Sequence, residues 1–189
     1  MNNLSYQVLL GSASPRRQEL IKAIVPTYQI VSVDVEESFP STIPADQVAR
    51  YLAEKKAKAY QQVDAGYVLV TADTTVVVDQ EILNKPADPE AAVTMLRRLS
   101  GRKHQVITGV ALRSLSKLAS FQVATDVYFQ TLSEEDMQYY IATCKPYDKA
   151  GAYGIQEWLG MVGITQIVGD YYNVVGLPVS RLRTELATF

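Results

Sequence analysis

Asp73 interrupts the most apolar run of the chain. Val68, Leu69 and Val70 precede it, Val76, Val77 and Val78 follow, and Thr71, Ala72, Thr74 and Thr75 flank it. Such runs form central strands buried on both faces. An ionised carboxylate there is costly unless a cation or a dense set of donors meets it. The residue is either a hydrogen-bonded aspartate at a strand break or a general base or metal ligand. Candidate cations are spread along the chain. Arg16 and Arg17 open a helix in Gly11-Ser12-Ala13-Ser14-Pro15-Arg16-Arg17. They oppose the helix dipole there, which is reasonable if an anion sits at that end, because arginine forks match phosphate oxygens in pairs. The other reading is a capped surface helix with two solvated arginines. Lys56 lies on the inward stripe of a later helix, where it either snorkels to the rim or meets an anion. Lys85 sits in the rigid Asn84-Lys85-Pro86 turn, and Lys149 in Asp148-Lys149-Ala150-Gly151-Ala152-Tyr153-Gly154-Ile155-Gln156. The glycines of that last stretch let the backbone come close to something, or simply connect. The amide of Gln156 suits a base edge, since it both donates and accepts.

Cations gathered within a chain of net charge −2 point to a polyphosphate. The acids among them, Glu36-Glu37 at a strand end and Asp73, suit a divalent ion bridging to that polyphosphate, or are solvated loop acids. No serine or cysteine is paired with a base: His104 is the only histidine and Cys144 the only cysteine. His104 is expected in a surface or capping role, and Cys144 in a structural one. What remains is attack of water on phosphorus, with the charge stabilised by lysine, arginine and metal.

The 189 residues, 48% hydrophobic and 20% charged, describe an ordinary globule with room for a real core. The net charge argues against a general nucleic-acid binder. Met1 to Ser5 lacks the charged start and apolar core of a signal peptide. No apolar run approaches the ~20 residues of a membrane span.

The elements that must position these residues follow from periodicity. Tyr6 to Leu10 is a strand, and Ser14 caps a helix with Pro15 at its first position. Tyr28 to Val35 alternates as a strand. Asp46 is expected to cap a helix reaching about Val63. Tyr67 to Asp79 and Glu81 to Leu83 are strands, and Asp88 caps a helix ending at Leu99. Gln105 to Leu112 and Ala119 to Gln130 form a hairpin. Ser133 caps a helix to about Thr143. Val162 to Val168 and Tyr171 to Val174 read as strands, and a last helix follows Pro178. The pattern is an α/β protein with one long mixed sheet.

Together these segments resemble the Maf family of nucleotide pyrophosphatases. The matching residues are Ser12-Ala13-Ser14-Pro15-Arg16-Arg17, Glu36-Glu37, Leu52 to Ala57, Ala72-Asp73-Thr74, Lys85-Pro86, Leu99-Ser100-Gly101, Asp148 to Gln156 and Gly176-Leu177-Pro178. They keep the family's order across nearly the whole chain. The resemblance implies a single domain over residues 1–189, with an elongated mixed sheet and flanking helices in two lobes around a central cleft, as in inosine triphosphatases. It implies hydrolysis of a nucleoside triphosphate between its α and β phosphates, a divalent cation (magnesium or manganese), and a cytoplasmic homodimer. Asp73 is then the proton acceptor. Arg16, Thr74 and Gln156 set base specificity, in a set similar to the dTTP/UTP pyrophosphatase subfamily. Ser12, Arg17, Lys56, Lys85 and Lys149 hold phosphates, and Glu37 with Asp73 holds the metal, Glu36 being an adjacent substitute. Two departures bear on the base pocket: Thr71 replaces a frequent glycine, and Glu157-Trp158-Leu159 replaces a frequent glycine-rich turn. Modified pyrimidine triphosphates are alternative substrates. A nucleotide-sensing regulator of septum formation with little turnover is the alternative function.

Overall fold

A computed structural model describes residues 4–189. Its strands are β1 (Gln7–Leu10), β2 (Tyr28–Ile30), β3 (Tyr67–Val78), β4 (Glu81–Leu83), β5 (Lys103–Arg113), β6 (Leu118–Phe129) and β7 (Ile164–Val168). Its α-helices are α1 (Pro15–Lys22), α2 (Val48–Ala59), α3 (Pro89–Leu99), α4 (Glu134–Cys144), α5 (Trp158–Gly163), α6 (Tyr171–Val175) and α7 (Val179–Thr188). The strands form one mixed sheet in the order β2-β1-β3-β5-β6-β7, with β4 also on β3. β1 runs parallel to β2 and β3, whereas the β3–β4 and β6–β7 pairs are antiparallel.

The chain divides into two compact units. The first comprises residues up to Asp73, Thr108–Val123 and Gly176–Phe189; the second comprises Thr74–Ile107 and Ala124–Val175. Each has its own core. Val8, Leu10, Ile21, Val70, Val110 and Leu182 pack in the first. Leu96, Leu99, Val127, Met137, Tyr140 and Leu159 pack in the second.

In the first unit, α2 lies very close to the sheet because small residues face it. Ala49, Ala53 and Ala57 are fully buried. A Cβ on Gly109 of β5 would stand 2.3 Å from the Arg50 nitrogen. The Thr71 hydroxyl donates to the Ala53 carbonyl at 2.7 Å, so this side chain ties β3 to the helix. Arg113 donates to the carbonyls of Ala57 and Tyr60, both at 2.6 Å, and so satisfies the helix C-terminus. That is why α2 stops at Ala59 rather than near Val63. At its other end a 3₁₀ turn, Ala45–Gln47, precedes the helix, and Asp46 provides no side-chain cap.

Other expectations also shift. β2 ends at Ile30 because its partner β1 ends at Leu10, whose carbonyl accepts the last bond from Val31. Residues 171–175 are helical rather than extended. The Asp170 carboxylate accepts from the Tyr172 amide at 2.8 Å, which starts a turn that two tyrosines and two valines had hidden. Residues 158–163, expected to run partly into a strand, form α5.

His104 is buried rather than superficial. Its Nε2 meets the Tyr153 hydroxyl at 2.7 Å, and its ring stands edge-on to Phe129 and Tyr153. Burial pulls its pKa down from 6.5 to about 4. Below pH 6.5 the unfolded chain takes up a proton that the folded chain refuses. This stability is therefore fully present above pH 6.5 and lost as pH falls toward 4, about 3 kcal/mol in all. The expected result is a wild-type melting temperature that falls over that interval more steeply than that of His104→Gln. Parallel curves from pH 7 to 4 would contradict it.

Candidate active site

In the first unit, Ser14 caps α1 as expected, with its Oγ accepting from the Arg17 amide at 3.5 Å, and Pro15 sits in the first turn. The buried Ser12 hydroxyl accepts from the Ser14 amide at 3.2 Å, which tightens the loop between β1 and the helix. Arg17 is not a solvated surface arginine. Its Nε donates to the Gly176 carbonyl at 2.8 Å and its Nη1 to the Ala72 carbonyl at 2.9 Å. Its guanidinium thus ties α1 to β3 beside Asp73. Burial lowers its pKa below the ordinary value and the Arg16 charge lowers it further, while Asp73 and Glu37 raise it. Arg17 therefore feels the charges of Asp73, Arg16 and Glu37.

Asp73 shares a face of β3 with Thr71, and so with α2. One turn beyond Ala53 on that helix, Lys56 reaches Asp73 Oδ1 at 2.6 Å and Glu37 Oε1 at 2.6 Å. The Lys56 and Asp73 side chains are each 12% exposed, against 47% for Glu37. The inward lysine thus meets carboxylates, which offset the cost of placing Asp73 within the strand. Of the two neighbouring glutamates, Glu37 is the one that reaches this lysine.

Two carboxylates converging on one point are hard oxygen donors suited to magnesium or manganese. Among the described residues no group of three or more His, Cys, Asp and Glu forms a complete cage. An ion held by these two carboxylates alone would have to take the rest of its shell from phosphate oxygens and water.

In the second unit, Thr74 begins the continuation of β3. The Gly151 amide donates to the Asn84 carbonyl at 3.2 Å, which sets the exposed Lys85 turn beside the 149–156 loop. Lys149 is buried, with its ammonium 2.7 Å from Asp148 Oδ1 and 3.0 Å from Glu157 Oε1. Gln156 is exposed at the end of that loop. The first unit therefore collects Ser12, Arg16, Arg17, Glu37, Lys56 and Asp73, and the second collects Thr74, Lys85, Lys149 and Gln156.

Two residues went unassigned in the sequence. Tyr140 of α4 donates its hydroxyl to Glu157 Oε2, and that hydroxyl accepts from the Gly154 amide at 3.0 Å. Burial, reinforced by the Glu157 carboxylate, drives the Tyr140 phenol far above its ordinary pKa. The replaced glycine-rich turn was the only sign of Glu157; nothing marked Tyr140 off from a core aromatic. Trp158 follows directly and stands edge-on to Tyr139, with ring centroids 4.9 Å apart. Cys144, a free thiol, packs against the second unit's core, as expected of a structural cysteine.

The family model described as Maf-like protein matches residues 7–189. A protein of Bacteroides thetaiotaomicron named dTTP/UTP pyrophosphatase is 45% identical over 183 residues, covering 96% of this chain and 95% of that one. Proteins of the same name from Porphyromonas gingivalis and Cytophaga hutchinsonii are 44% and 46% identical; the matches cover 100% and 95% of this chain, and 98% and 82% of those. Among solved structures, the Staphylococcus aureus Ham1 protein superposes with a TM-score of 0.54 at 16% identity, covering 96% of this chain and 98% of that one. A HAM1 protein from Coxiella burnetii gives 0.52 at 13%, covering 97% and 100%. At such identities these two establish a shared fold. The full-length family match and the relatives at 44–46% identity decide the family: this chain belongs to the Maf family.

Proposed function

We propose that this protein hydrolyses dTTP and UTP between the α and β phosphates, releasing the monophosphate and pyrophosphate. The observation that carries the reading is the nearly buried Asp73 carboxylate, held at 2.6 Å by Lys56 with Glu37 on the same ammonium. It is supported by full-length relatives named for that activity. Residues 1–189 act as one functional domain, in keeping with a family match that runs through both units.

Asp73 takes a proton from the attacking water as its oxygen bonds to the α phosphorus, and pyrophosphate leaves with the bridging oxygen. Lys56 orients that carboxylate. Ser12, Arg17, Lys56, Lys85 and Lys149 bear on the phosphates, Arg17 largely by tying α1 to β3. Glu37 and Asp73 would hold a magnesium or manganese ion, which when bound would neutralise phosphate charge. Arg16, Thr74 and Gln156 read the base. Thymine and uracil share an edge of two carbonyls and one N–H, which an amide and a hydroxyl complement. A purine edge leaves buried groups unpaired, at about 1–3 kcal/mol each. We also propose a cytoplasmic homodimer, as the family resemblance implies; no described helix is long and apolar enough to cross a membrane.

The test is pyrophosphate release from a panel of triphosphates at equal concentration, with magnesium or manganese, including 5-methyl-pyrimidine and pseudouridine forms. Release led by dTTP and UTP is expected. Tight nucleotide binding without release would instead favour the nucleotide-sensing regulator. Gln156→Ala is expected to cut the preference for dTTP over dGTP about tenfold while lowering affinity less. An unchanged selectivity profile would remove Gln156 from base reading.

A further inference from the structure

The turn that carries Gln156 is closed twice. Its backbone closes when the Glu157 amide donates to the Gly154 carbonyl at 3.0 Å. Its side chains close it again through Tyr140, whose hydroxyl accepts from the Gly154 amide and donates to Glu157. Gln156 lies between these two fixed points. The Glu157 carboxylate also anchors Lys149 through its other oxygen at 3.0 Å. Tyr140 is fully buried and Glu157 is 23% exposed, so neither link is readily replaced by water. The Glu157 side chain lies directly over this glycine: a Cβ on Gly154 would stand 2.8 Å from the Glu157 Cδ.

We propose that Glu157 and Tyr140 are positioning residues for base selection, holding the turn that presents Gln156 and the Lys149 beside it. The proposal rests on the pyrophosphatase reading and extends it to two residues that touch neither phosphate nor base. It also gives the Glu157-Trp158-Leu159 departure a purpose. A glycine-rich turn has no side chain with which to do this; here a carboxylate and a phenol from α4 supply the stiffness.

The distinguishing property is geometry rather than charge. Glu157→Gln has a single oxygen, which can still accept from Tyr140, and turns an NH2 toward the Lys149 ammonium, so it keeps the side-chain closure and gives up the Lys149 link, while Glu157→Ala and Tyr140→Phe break the closure. The experiment measures kcat and KM for dTTP, UTP, dGTP and dATP in wild type, the three variants and the Glu157→Ala/Tyr140→Phe pair. Melting temperatures are recorded beside them. The expected result is an about tenfold smaller ratio of kcat/KM between the best pyrimidine and the best purine in Glu157→Ala and in Tyr140→Phe. The loss appears mainly as a higher KM for the pyrimidines. Glu157→Gln holds the ratio within about twofold, and the double variant is no worse than the worse single one. An unchanged ratio in Glu157→Ala overturns the proposal, as does an equal fall for all four nucleotides. Glu157→Gln falling as far as Glu157→Ala also overturns it, because the charge and the Lys149 link, and not the closure through Tyr140, would then be the cause. A wild type that prefers purines, or releases no pyrophosphate, overturns the substrate reading instead. The same ratio, measured as dissociation constants, then decides the role of Glu157 and Tyr140.

Discussion

Asp73→Asn is expected to lower pyrophosphate release from dTTP by about 10³-fold while the protein stays folded. Asparagine matches the shape of the carboxylate but takes no proton from water. The fold survives because Lys56 keeps a partner: Glu37 Oε1 lies 2.6 Å from the same ammonium. The amide oxygen of the introduced asparagine still accepts from Lys56, so no buried group is orphaned. Rates at saturating dTTP, with a melting curve for each protein, make the check. A variant turning over at the wild-type rate would strip Asp73 of its role as base. A variant that has lost its melting transition would make it a structural anchor.

Gly109→Ala is expected to produce the largest loss of stability. The added carbon would stand 2.3 Å from the Arg50 nitrogen and 2.4 Å from the Ala49 oxygen, both backbone atoms of α2 that no rotamer change can move. The helix must lift. Lifting it strains the Thr71–Ala53 bond and the Arg113 contacts with Ala57 and Tyr60. Overpacking of this kind costs about 3 kcal/mol. For a chain of this size that is about 10 °C in melting temperature. Turnover is expected to fall with it, because Lys56 rides on the same helix. A melting temperature within a degree of wild type would show that α2 does not rest on β5 as described.

Much of this was legible in the sequence because the residues concerned obey local rules. Ser14-Pro15, Asp88-Pro89 and Ser133 announce helix starts through capping alone. Asp73 stands out because a carboxylate inside a valine run must have company, and Lys56 because a lysine on an apolar stripe must have a reason. The departures have non-local causes. The length of β2 is set by where β1 ends, and the end of α2 by Arg113, fifty-odd residues further along the chain. The helix at 171–175 was concealed by β-prone residues, and only Asp170 signalled a turn. His104 looked superficial because a polar residue at a strand start usually is, whereas Tyr153, Phe129 and the strand's own alternation bury it. Glu157 and Tyr140 lie seventeen residues apart and act through one hydroxyl, a pairing that no spacing rule exposes.

The indole of Trp158 is the only one in the chain and immediately follows Glu157. Fluorescence excited at the red edge of protein absorption therefore comes from one known spot, next to the turn that carries Gln156. A change in emission on adding a non-hydrolysable pyrimidine nucleotide would track that turn in solution without an attached dye. The same signal, followed in Glu157→Ala, would show whether the turn still responds once its brace is gone.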